Sequence, residues 1–160
     1  MATGDDATNR AGGGQRRTCG FATPAGPVAV EVAEGAVVRV RLGAEVDSGG
    51  PLPAPVAAFA AYLRGEQPDL DRVGWRLEGG TEFQRAVWLA LGSIPAGTTW
   101  RYSDLAAHLG RPGGARAVGQ ALSRNPLPVL LPCHRVVAAT GLGGFSCGLG
   151  WKRYLLGLEG

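Results

Sequence analysis

Residues 103–123, SDLAAHLGRPGGARAVGQALS, decide how the C-terminal part of this chain is expected to fold. Ser103 can cap a short helix, and Gly110 can terminate it. After the turn RPGG, a second helix can run from Ala115 to about Ser123. The stretch therefore predicts two helices joined by a short turn, a pattern found both in ordinary helical hairpins and in helix-turn-helix DNA-binding proteins.

The second predicted helix has one apolar and one polar face. Val118 and Leu122 form its buried stripe, because a helix turns by about 100° per residue. Arg116, Gln120 and Ser123 fall near the opposite face. The neighbours of the arginine are all small: Ala115, Ala117, Gly119 and Ala121. Such a surface can approach a nucleic-acid backbone closely and leave the arginine projecting, or it can pack tightly against another helix.

The chain before these helices starts a separate structural unit. Thr81 and Gln84 match a capping box at the start of the helix EFQRAVWLALGSI, and Pro95 ends that helix. Residues 65–80 are polar and glycine-containing, which is typical of a linker. We therefore expect a mostly helical C-terminal domain over residues 79–160.

The N-terminal half has the pattern of short strands and one helix. The runs PVAVEVA and AVVRVRLG, separated by Glu34 and Gly35, alternate as half-buried strands do and predict a hairpin. The run VAAFAAYLRGE predicts a helix packed on it. We expect a small α/β domain over residues 17–78 after a disordered tail, residues 1–16. The expected fold class of the whole chain is α/β (α+β).

Composition and charge narrow the class of protein. Hydrophobic residues make up 45% of the 160 residues, enough for a buried core. No apolar run is long enough for a membrane span and the start lacks a secretory signal pattern, so we expect a cytoplasmic protein without a membrane partner. Residues 91–160 hold seven Arg/Lys against two Asp/Glu. This asymmetry is expected of a domain that faces a polyanion, although solubility alone also produces charged surfaces.

The cysteines and histidines argue against a disulfide framework and a metal site. Cys19, Cys133 and Cys147 are an odd number without C-x-x-C spacing. His108 and His134 are the only histidines in the sequence, and no further ligands are spaced to complete a tetrahedral site. We therefore expect at least one free thiol and no metal.

The reactive segment is residues 125–141, NPLPVLLPCHRVVAATG, where Cys133 and His134 are adjacent in an apolar, proline-rich loop. Thiolate is the reactive form of cysteine, and a nearby imidazole lowers the pKa of a thiol, so the pair is a candidate nucleophile and base. Neighbouring side chains often point apart, however, and most buried cysteines are inert. The two residues alone leave both interpretations open.

The segment PCHRV, residues 132–136, resembles the active-site motif of the O6-alkylguanine-DNA alkyltransferases, also called methylated-DNA-protein-cysteine methyltransferases. ARAVGQAL, Asn125 with Pro126, and the ending YLLGLEG recur in the family's order at similar spacing. The resemblance covers residues 81–160 well and residues 17–80 only in general character. It implies a winged-helix-like C-terminal domain with a helix-turn-helix, and an N-terminal α/β domain of ribonuclease-H-like character.

The resemblance also implies direct-reversal DNA repair. Cys133 would take a methyl or other alkyl group from O6-alkylguanine, with O4-alkylthymine as a second candidate lesion, in one irreversible displacement. His134 would deprotonate the thiol through a water, and Glu159 would orient His134, which is the logic of a hydrolase triad. Each molecule would work once, as a monomer, without a cofactor.

Further roles follow from the same resemblance. Asn125 would brace the active-site turn, and Tyr102 would contact the target's phosphate and donate to the departing base. Arg116 would enter the duplex from the minor groove and replace the flipped nucleotide. The residues expected to contact double-stranded DNA are Tyr102, Ala115, Arg116, Ala117, Gly119, Gln120, Ala121 and Arg124. The residues expected to form the guanine pocket are Pro128, Val136, Gly143, Phe145 and Ser146.

Four residues depart from the family pattern. Phe145 stands where relatives often have tyrosine, Cys147 where glycine is usual, and Arg101 where serine is common. Gln120 replaces a residue that is small in some members. None of these departures removes a residue that the chemistry requires.

Three alternative functions fit the sequence less well. A protein that binds alkyl lesions without repairing them would lack the acceptor cysteine, which is present here as Cys133. A helix-turn-helix regulator would read bases from the major groove with polar side chains, whereas this helix offers mainly Ala and Gly around Arg116. A thiol hydrolase would need an oxyanion hole and would leave the basic helix unexplained.

Overall fold

The computed structural model describes residues 15–47, 50–67 and 69–160. The chain divides after Glu78 into two compact units. Helices and strands occur in both, so the expected mixed α/β class is confirmed. Most of the predicted N-terminal tail, residues 1–14, lies outside the described residues. At the end of that predicted tail, Arg16 is the first residue of a strand, so the tail prediction is wrong there.

A three-stranded antiparallel sheet forms the centre of the N-terminal unit. Its strands are β1 (Arg16–Thr23), β2 (Gly26–Ala33) and β3 (Ala36–Leu42), paired in the order β1-β2-β3. The predicted hairpin corresponds to β2 and β3 and is confirmed. Its turn places Glu34 at φ 53° and Gly35 at φ 81°, the left-handed region that a tight two-residue turn requires.

The first strand was not predicted, because RRTCGFAT has too few apolar residues to show an alternating pattern. It pairs with β2 along its whole length, and Cys19 is fully buried opposite Val30.

The predicted helix is α1 (Ala54–Leu63), and its Phe59 packs edge-on against Phe21 with ring centroids 6.2 Å apart. Aromatic contact of this kind fixes the helix on the sheet.

The segment predicted as a linker is partly packed. Val73 and Leu77 are 1% and 3% exposed. The backbone between them pairs with β3, where Val37 N donates to Gly74 O at 2.9 Å and Arg76 N donates to Val37 O at 3.0 Å. Two isolated apolar residues gave no period in the sequence, yet they belong to the core of this unit.

The C-terminal unit consists of four short α-helices, two turns of 3-10 helix and a small two-stranded sheet. In chain order its main elements are α2 (Glu82–Ala90), β4 (Trp100–Arg101), α3 (Tyr102–His108), α4 (Ala115–Leu122), β5 (Val136–Val137) and α5 (Leu149–Leu158). Two turns of 3-10 helix, Leu91–Ser93 and Cys133–Arg135, complete it. The predicted capping box of α2 is confirmed, because Thr81 Oγ1 accepts from Gln84 N while the Gln84 side chain accepts from Thr81 N.

The two helices predicted from residues 103–123 are present as α3 and α4. Helix α3 begins one residue before Ser103, and the carboxylate of Asp104, not the Ser103 hydroxyl, caps it by accepting from Arg101 N at 2.8 Å. Gly110 follows the helix at φ 75°, as the termination signal predicts. On α4 the stripe of Val118 and Leu122 is buried as expected, while Arg116, Gln120 and Ser123 are exposed.

The parallel pair β4–β5 joins two segments that are far apart in the chain. Trp100 lies opposite Val136, and Arg101 lies opposite Val137. The start of α3 is thereby placed beside the segment that follows Cys133. In the ranges that the structure describes, no helix is both long and apolar enough to cross a bilayer.

Candidate active site

The thiol of Cys133 faces a cavity of about 300 Å³. The residue opens the short 3-10 helix directly after Pro132 and is 8% exposed. The cavity is lined by Tyr102, Gly119, Leu122, Ser123, Cys133, Gly144, Phe145 and Ser146. A nucleophile at the wall of a cavity of this size can meet a group that is inserted into it, but it is shielded from bulk solvent.

The predicted pocket residues divide into two groups. Phe145 and Ser146 line the cavity, whereas Pro128, Val136 and Gly143 are not part of its lining. Val136 is fully buried, so its side chain belongs to the core. The sequence reasoning missed Gly119, Leu122 and Ser123 as lining residues. The helical period of α4 identified Leu122 as buried but not that this face borders a cavity.

The resting thiol of Cys133 is neutral. Burial raises its pKa to about 12, and the hydrogen bond with Asn125 and the positive charge of Lys152 offset only part of this rise. The expectation that an adjacent imidazole lowers the thiol pKa is therefore wrong for the resting protein, because loss of hydration dominates. Any reaction at the sulfur must include removal of its proton.

Asn125 braces the turn that leads to the cysteine. Its side-chain nitrogen donates to Leu131 O at 2.8 Å, and its side-chain oxygen accepts from Leu127 N at 2.9 Å. Between them Val129 has φ 78°, a conformation that β-branched residues rarely adopt. The two hydrogen bonds stabilise a turn that the backbone does not favour by itself.

His134 and Glu159 form a buried pair. Nε2 of His134 lies 2.8 Å from Oε2 of Glu159, and the two side chains are 1% and 2% exposed. The other ring nitrogen, Nδ1, is buried and has no hydrogen-bond partner among the described residues. With Nε2 held by a carboxylate, Nδ1 is the nitrogen that can accept a proton.

Arg135 holds the same carboxylate from the other side. Its Nε donates to Oε2 and Oε1 of Glu159 at 2.9 and 3.1 Å, and Nη2 donates to Oε2 at 2.7 Å. Its Nη1 donates to Ile94 O at 2.6 Å. A planar guanidinium suits this bidentate role, and the arginine fixes the carboxylate that the histidine uses.

The charges of this cluster follow from burial and pairing. Burial lowers the pKa of His134 and outweighs the opposing effect of Glu159, so the imidazole rests neutral at physiological pH. Burial alone would raise the pKa of Glu159, but hydrogen bonds from His134 and Arg135 lower it to about 2. A neutral histidine beside an ionised carboxylate is the state that a general base requires.

Tyr102 closes one side of the cavity. Its hydroxyl donates to Gly144 O at 3.4 Å. A Cβ at Gly143, which has φ 76°, would lie 2.9 Å from the Tyr102 hydroxyl oxygen. Only glycine lets the loop approach the tyrosine this closely.

The residues predicted to contact DNA lie on α3, α4 and the residues that follow. Arg116, Ala117, Gln120 and Arg124 are exposed, and Tyr102, Ala115 and Gly119 are half-buried. Ala121 is 3% exposed, and its carbonyl accepts the indole N–H of Trp88 at 2.8 Å. Its side chain belongs to the contact between α2 and α4 and is removed from the predicted DNA surface.

One of the four departures from the family pattern lines the cavity, and a second affects the thiol of Cys133. Phe145 is a lining residue, and Cys147 raises the pKa of Cys133. Arg101 and Gln120 are exposed.

Within the described ranges, no three His, Cys, Asp or Glu side chains are grouped as a metal site would require.

Comparison with known proteins identifies relatives of this chain. The family model described as 6-O-methylguanine DNA methyltransferase, DNA binding domain, matches residues 82–160. A methylated-DNA–protein-cysteine methyltransferase of Methanosarcina acetivorans is 48% identical over 101 residues, which cover 62% of this chain and 64% of that protein. The chain thus spans less than two thirds of the length of the curated relatives it matches.

Solved structures match over a larger share of the chain. The crystal structure of the Mycobacterium tuberculosis O6-methylguanine methyltransferase has a TM-score of 0.77 and 35% identity, over 91% of this chain and 93% of that one. The crystal structure of M. tuberculosis OGT in complex with DNA has a TM-score of 0.75 and 38% identity, over 90% and 91%. The chain therefore belongs to the 6-O-methylguanine DNA methyltransferase family.

Proposed function

We propose that this protein repairs DNA by moving the alkyl group of O6-alkylguanine irreversibly to Cys133. The observation that carries the proposal is the thiol at the wall of a cavity of about 300 Å³, followed in the chain by a buried His134–Glu159 pair. In the transfer a bond forms between the sulfur and the alkyl carbon, and the bond from that carbon to O6 breaks. The product is a thioether, so one molecule repairs one lesion, and no cofactor takes part.

The proton of Cys133 must leave before or during the displacement. The resting thiol is neutral, since burial raises its pKa to about 12, and His134 is neutral as well. We propose that Nδ1 of His134 accepts the proton through a water molecule. The imidazolium that forms is stabilised by the ionised Glu159, which lies 2.8 Å from Nε2. Arg135 keeps that carboxylate charged and in place.

The departing guanine needs a proton in exchange for its alkyl group. The Tyr102 hydroxyl is a donor on the cavity wall, 3.4 Å from Gly144 O. We propose that it donates to the leaving base and is later reprotonated at the expense of the His134 imidazolium. The balance is then one proton moved from the cysteine to the guanine and one alkyl group moved in the opposite direction.

We propose that α3, the turn 109–114 and α4 act as a helix-turn-helix. Arg116 is exposed at the N-terminal end of α4, beside small residues that allow close approach to a duplex. In this proposal α4 binds in the minor groove, and Arg116 replaces the nucleotide that is flipped into the cavity. Extrusion is required in any case, because the thiol of a residue that is only 8% exposed cannot reach a stacked base.

The finer fold of each unit, the oligomeric state and the cellular location are proposals as well. The C-terminal unit is proposed to be winged-helix-like, supported by α3, α4 and the small β4–β5 sheet. Residues 17–78 are proposed to form a ribonuclease-H-like domain, supported by the three-stranded sheet and α1. We further propose that the protein acts as a monomer in the cytoplasm, and that residues 79–160 form the alkyl-acceptor domain.

The proposal is tested by counting repaired lesions. A duplex oligonucleotide with one O6-methylguanine is mixed with increasing amounts of protein, and the remaining lesion is measured after digestion to nucleosides. The proposal predicts loss of one lesion per protein molecule and no loss with Cys133→Ala. Binding that is selective for the lesion but leaves it intact would show a damage-binding protein instead.

A further inference from the structure

Lys152 is the only lysine in the sequence, and its side chain is completely buried in α5. A buried ammonium group is costly unless hydrogen bonds replace its hydration. Here Nζ donates to Val136 O at 2.7 Å, to Leu142 O at 2.6 Å and to Gly144 O at 3.0 Å. The three donors of a protonated lysine are therefore matched by three main-chain acceptors.

The three acceptors belong to two segments that form the site. Val136 directly follows the turn Cys133–Arg135. The other two acceptors lie in residues 141–148, which we call the pocket loop. This loop contributes three of the residues that line the cavity: Gly144, Phe145 and Ser146. The same ammonium group lies 5.8 Å from the centroid of the Phe145 ring.

We infer that Lys152 is a positioning residue of the alkyl-transfer site: its ammonium group ties the pocket loop to the strand that follows the acceptor cysteine. The inference rests on the proposed function, since it concerns the cavity in which the alkylated base would be held. The distance from the sulfur to the opposite wall is set by these hydrogen bonds. Displacement reactions depend steeply on such distances.

The charge state of Lys152 agrees with this role. Burial lowers the pKa of its ammonium group, whereas a thiolate at Cys133 raises it. A neutral amine has only two N–H donors and would lose one of these three hydrogen bonds, at a free-energy cost. The arrangement is therefore complete only with the protonated lysine, and formation of the thiolate favours it further.

Replacement by methionine tests the inference, because Lys152→Met keeps the length of the side chain and removes its donors. Arg153→Met is the matched control, since Arg153 is the next residue of α5 and is exposed. Two reactions of Cys133 are compared. One is methyl transfer from a duplex with O6-methylguanine, which depends on the distance between the sulfur and the opposite cavity wall. The other is alkylation by iodoacetamide, mapped by peptide mass, which needs the thiolate but no fixed distance to the opposite wall.

We expect Lys152→Met to lower the maximal rate of methyl transfer about tenfold or more. The half-saturating DNA concentration should change less than about threefold, because α4 is not altered. Iodoacetamide should lose much less rate than methyl transfer, because removal of the Lys152 charge only raises the pKa of the Cys133 thiol. Arg153→Met should match the wild type in both reactions. Methyl transfer at the wild-type rate, or an equal loss in both reactions, would overturn the inference.

Hydrogen exchange separates this inference from the proposed function. If the wild type fails to repair O6-methylguanine, the proposed function is wrong, but the effect of the Lys152 hydrogen bonds on the pocket loop can still be measured. Amides of residues 141–148 should exchange about tenfold faster in Lys152→Met than in Arg153→Met. Equal exchange in the two variants would overturn the inference whatever the protein repairs.

A measurement on the wild type covers the case in which Lys152→Met does not fold. Because the sequence has one lysine, protein labelled with ¹⁵N-lysine gives a single side-chain ammonium signal. Ammonium protons that are bonded to three carbonyls in the interior should exchange slowly enough to be detected at pH 7. A signal lost to rapid exchange with water would contradict the hydrogen bonds on which the inference stands.

Discussion

His134 and Glu159 are 25 residues apart in the chain, yet Nε2 of the histidine lies 2.8 Å from Oε2 of the glutamate. Both side chains are buried, and Arg135 holds the second face of the carboxylate. The contact joins the segment that carries the thiol to the end of α5. It gives the imidazole a fixed orientation and a negative partner for the charge that it gains as a base.

The first prediction concerns the charge of that partner. Glu159→Gln keeps the shape of the side chain but removes the anion, so the His134 imidazolium formed during transfer is no longer stabilised. We expect the rate of methyl transfer to fall about 100-fold, within the range of general acid–base catalysis. Single-turnover rapid-quench measurements give the rate. Glu82→Gln, an exposed residue of the same unit, serves as the control and should react like the wild type.

The second prediction concerns stability at acid pH. The pKa of Glu159 is lowered from 4.5 to about 2, so its ionised form stabilises the folded protein at pH values above 4.5. This contribution is lost as the pH falls from about 4.5 towards 2. The wild type should exceed Glu159→Gln in free energy of unfolding by on the order of 3 kcal/mol at pH 6, given about 1.4 kcal/mol per pKa unit.

Urea unfolding of both proteins between pH 6 and pH 2.5 measures this difference. It should narrow steadily as the pH is lowered. The pKa of His134 is also lowered in the folded protein, so this residue likewise makes the folded state less stable as the pH drops below 6.5. A difference between the two proteins that stays constant with pH would show that the carboxylate is not held ionised by its partners.

The third prediction concerns Arg116. Its side chain is exposed, so Arg116→Ala should change the free energy of unfolding by less than about 0.5 kcal/mol. Transfer from a duplex should slow at least about tenfold, because the proposed flipped state loses the group that fills the gap. Transfer from the free base O6-methylguanine should not change. An equal effect on both substrates would contradict the proposed role in extrusion.

The fourth prediction concerns the turn before the cysteine. Asn125→Ala removes two hydrogen bonds to a turn in which Val129 has φ 78°, and it leaves Leu127 N without its acceptor, whereas Leu131 O still accepts from Cys133 N. We expect a loss of about 1–3 kcal/mol in the free energy of unfolding. The pKa of Cys133 should rise further, since Asn125 lowers it. Urea unfolding and transfer rates at fixed pH check the two effects.

Local signals in the sequence predicted helices α1 to α4 and the hairpin, but not helix α5. The capping box of Thr81 and Gln84, the stripe of Val118 and Leu122, and the turn at Gly35 each depend on residues close together in the chain. Such signals can be recognised in the sequence without knowledge of long-range packing. The cap of α3 was wrongly assigned to Ser103, because the helix begins at Tyr102 and the Asp104 side chain accepts from Arg101 N.

Other parts of the fold depend on contacts that the sequence does not display. Strand β1 was missed, since its pairing with β2 rests on backbone hydrogen bonds and not on an apolar pattern. The approach of His134 to Glu159 was expected from the family resemblance, not from the spacing of the residues. Lys152 was missed entirely, because a lone lysine in a helix is usually exposed.

The central claim is that Cys133 itself accepts the alkyl group, and intact mass spectrometry followed by peptide mapping tests it most directly. The protein is incubated with a duplex that carries one O6-methylguanine, with Cys133→Ala and Cys147→Ala treated in parallel. The wild type and Cys147→Ala should each gain one methyl group in place of a hydrogen, mapped to Cys133, and Cys133→Ala should gain none. A methyl group on Cys147, or no gain of mass in the wild type, would contradict it.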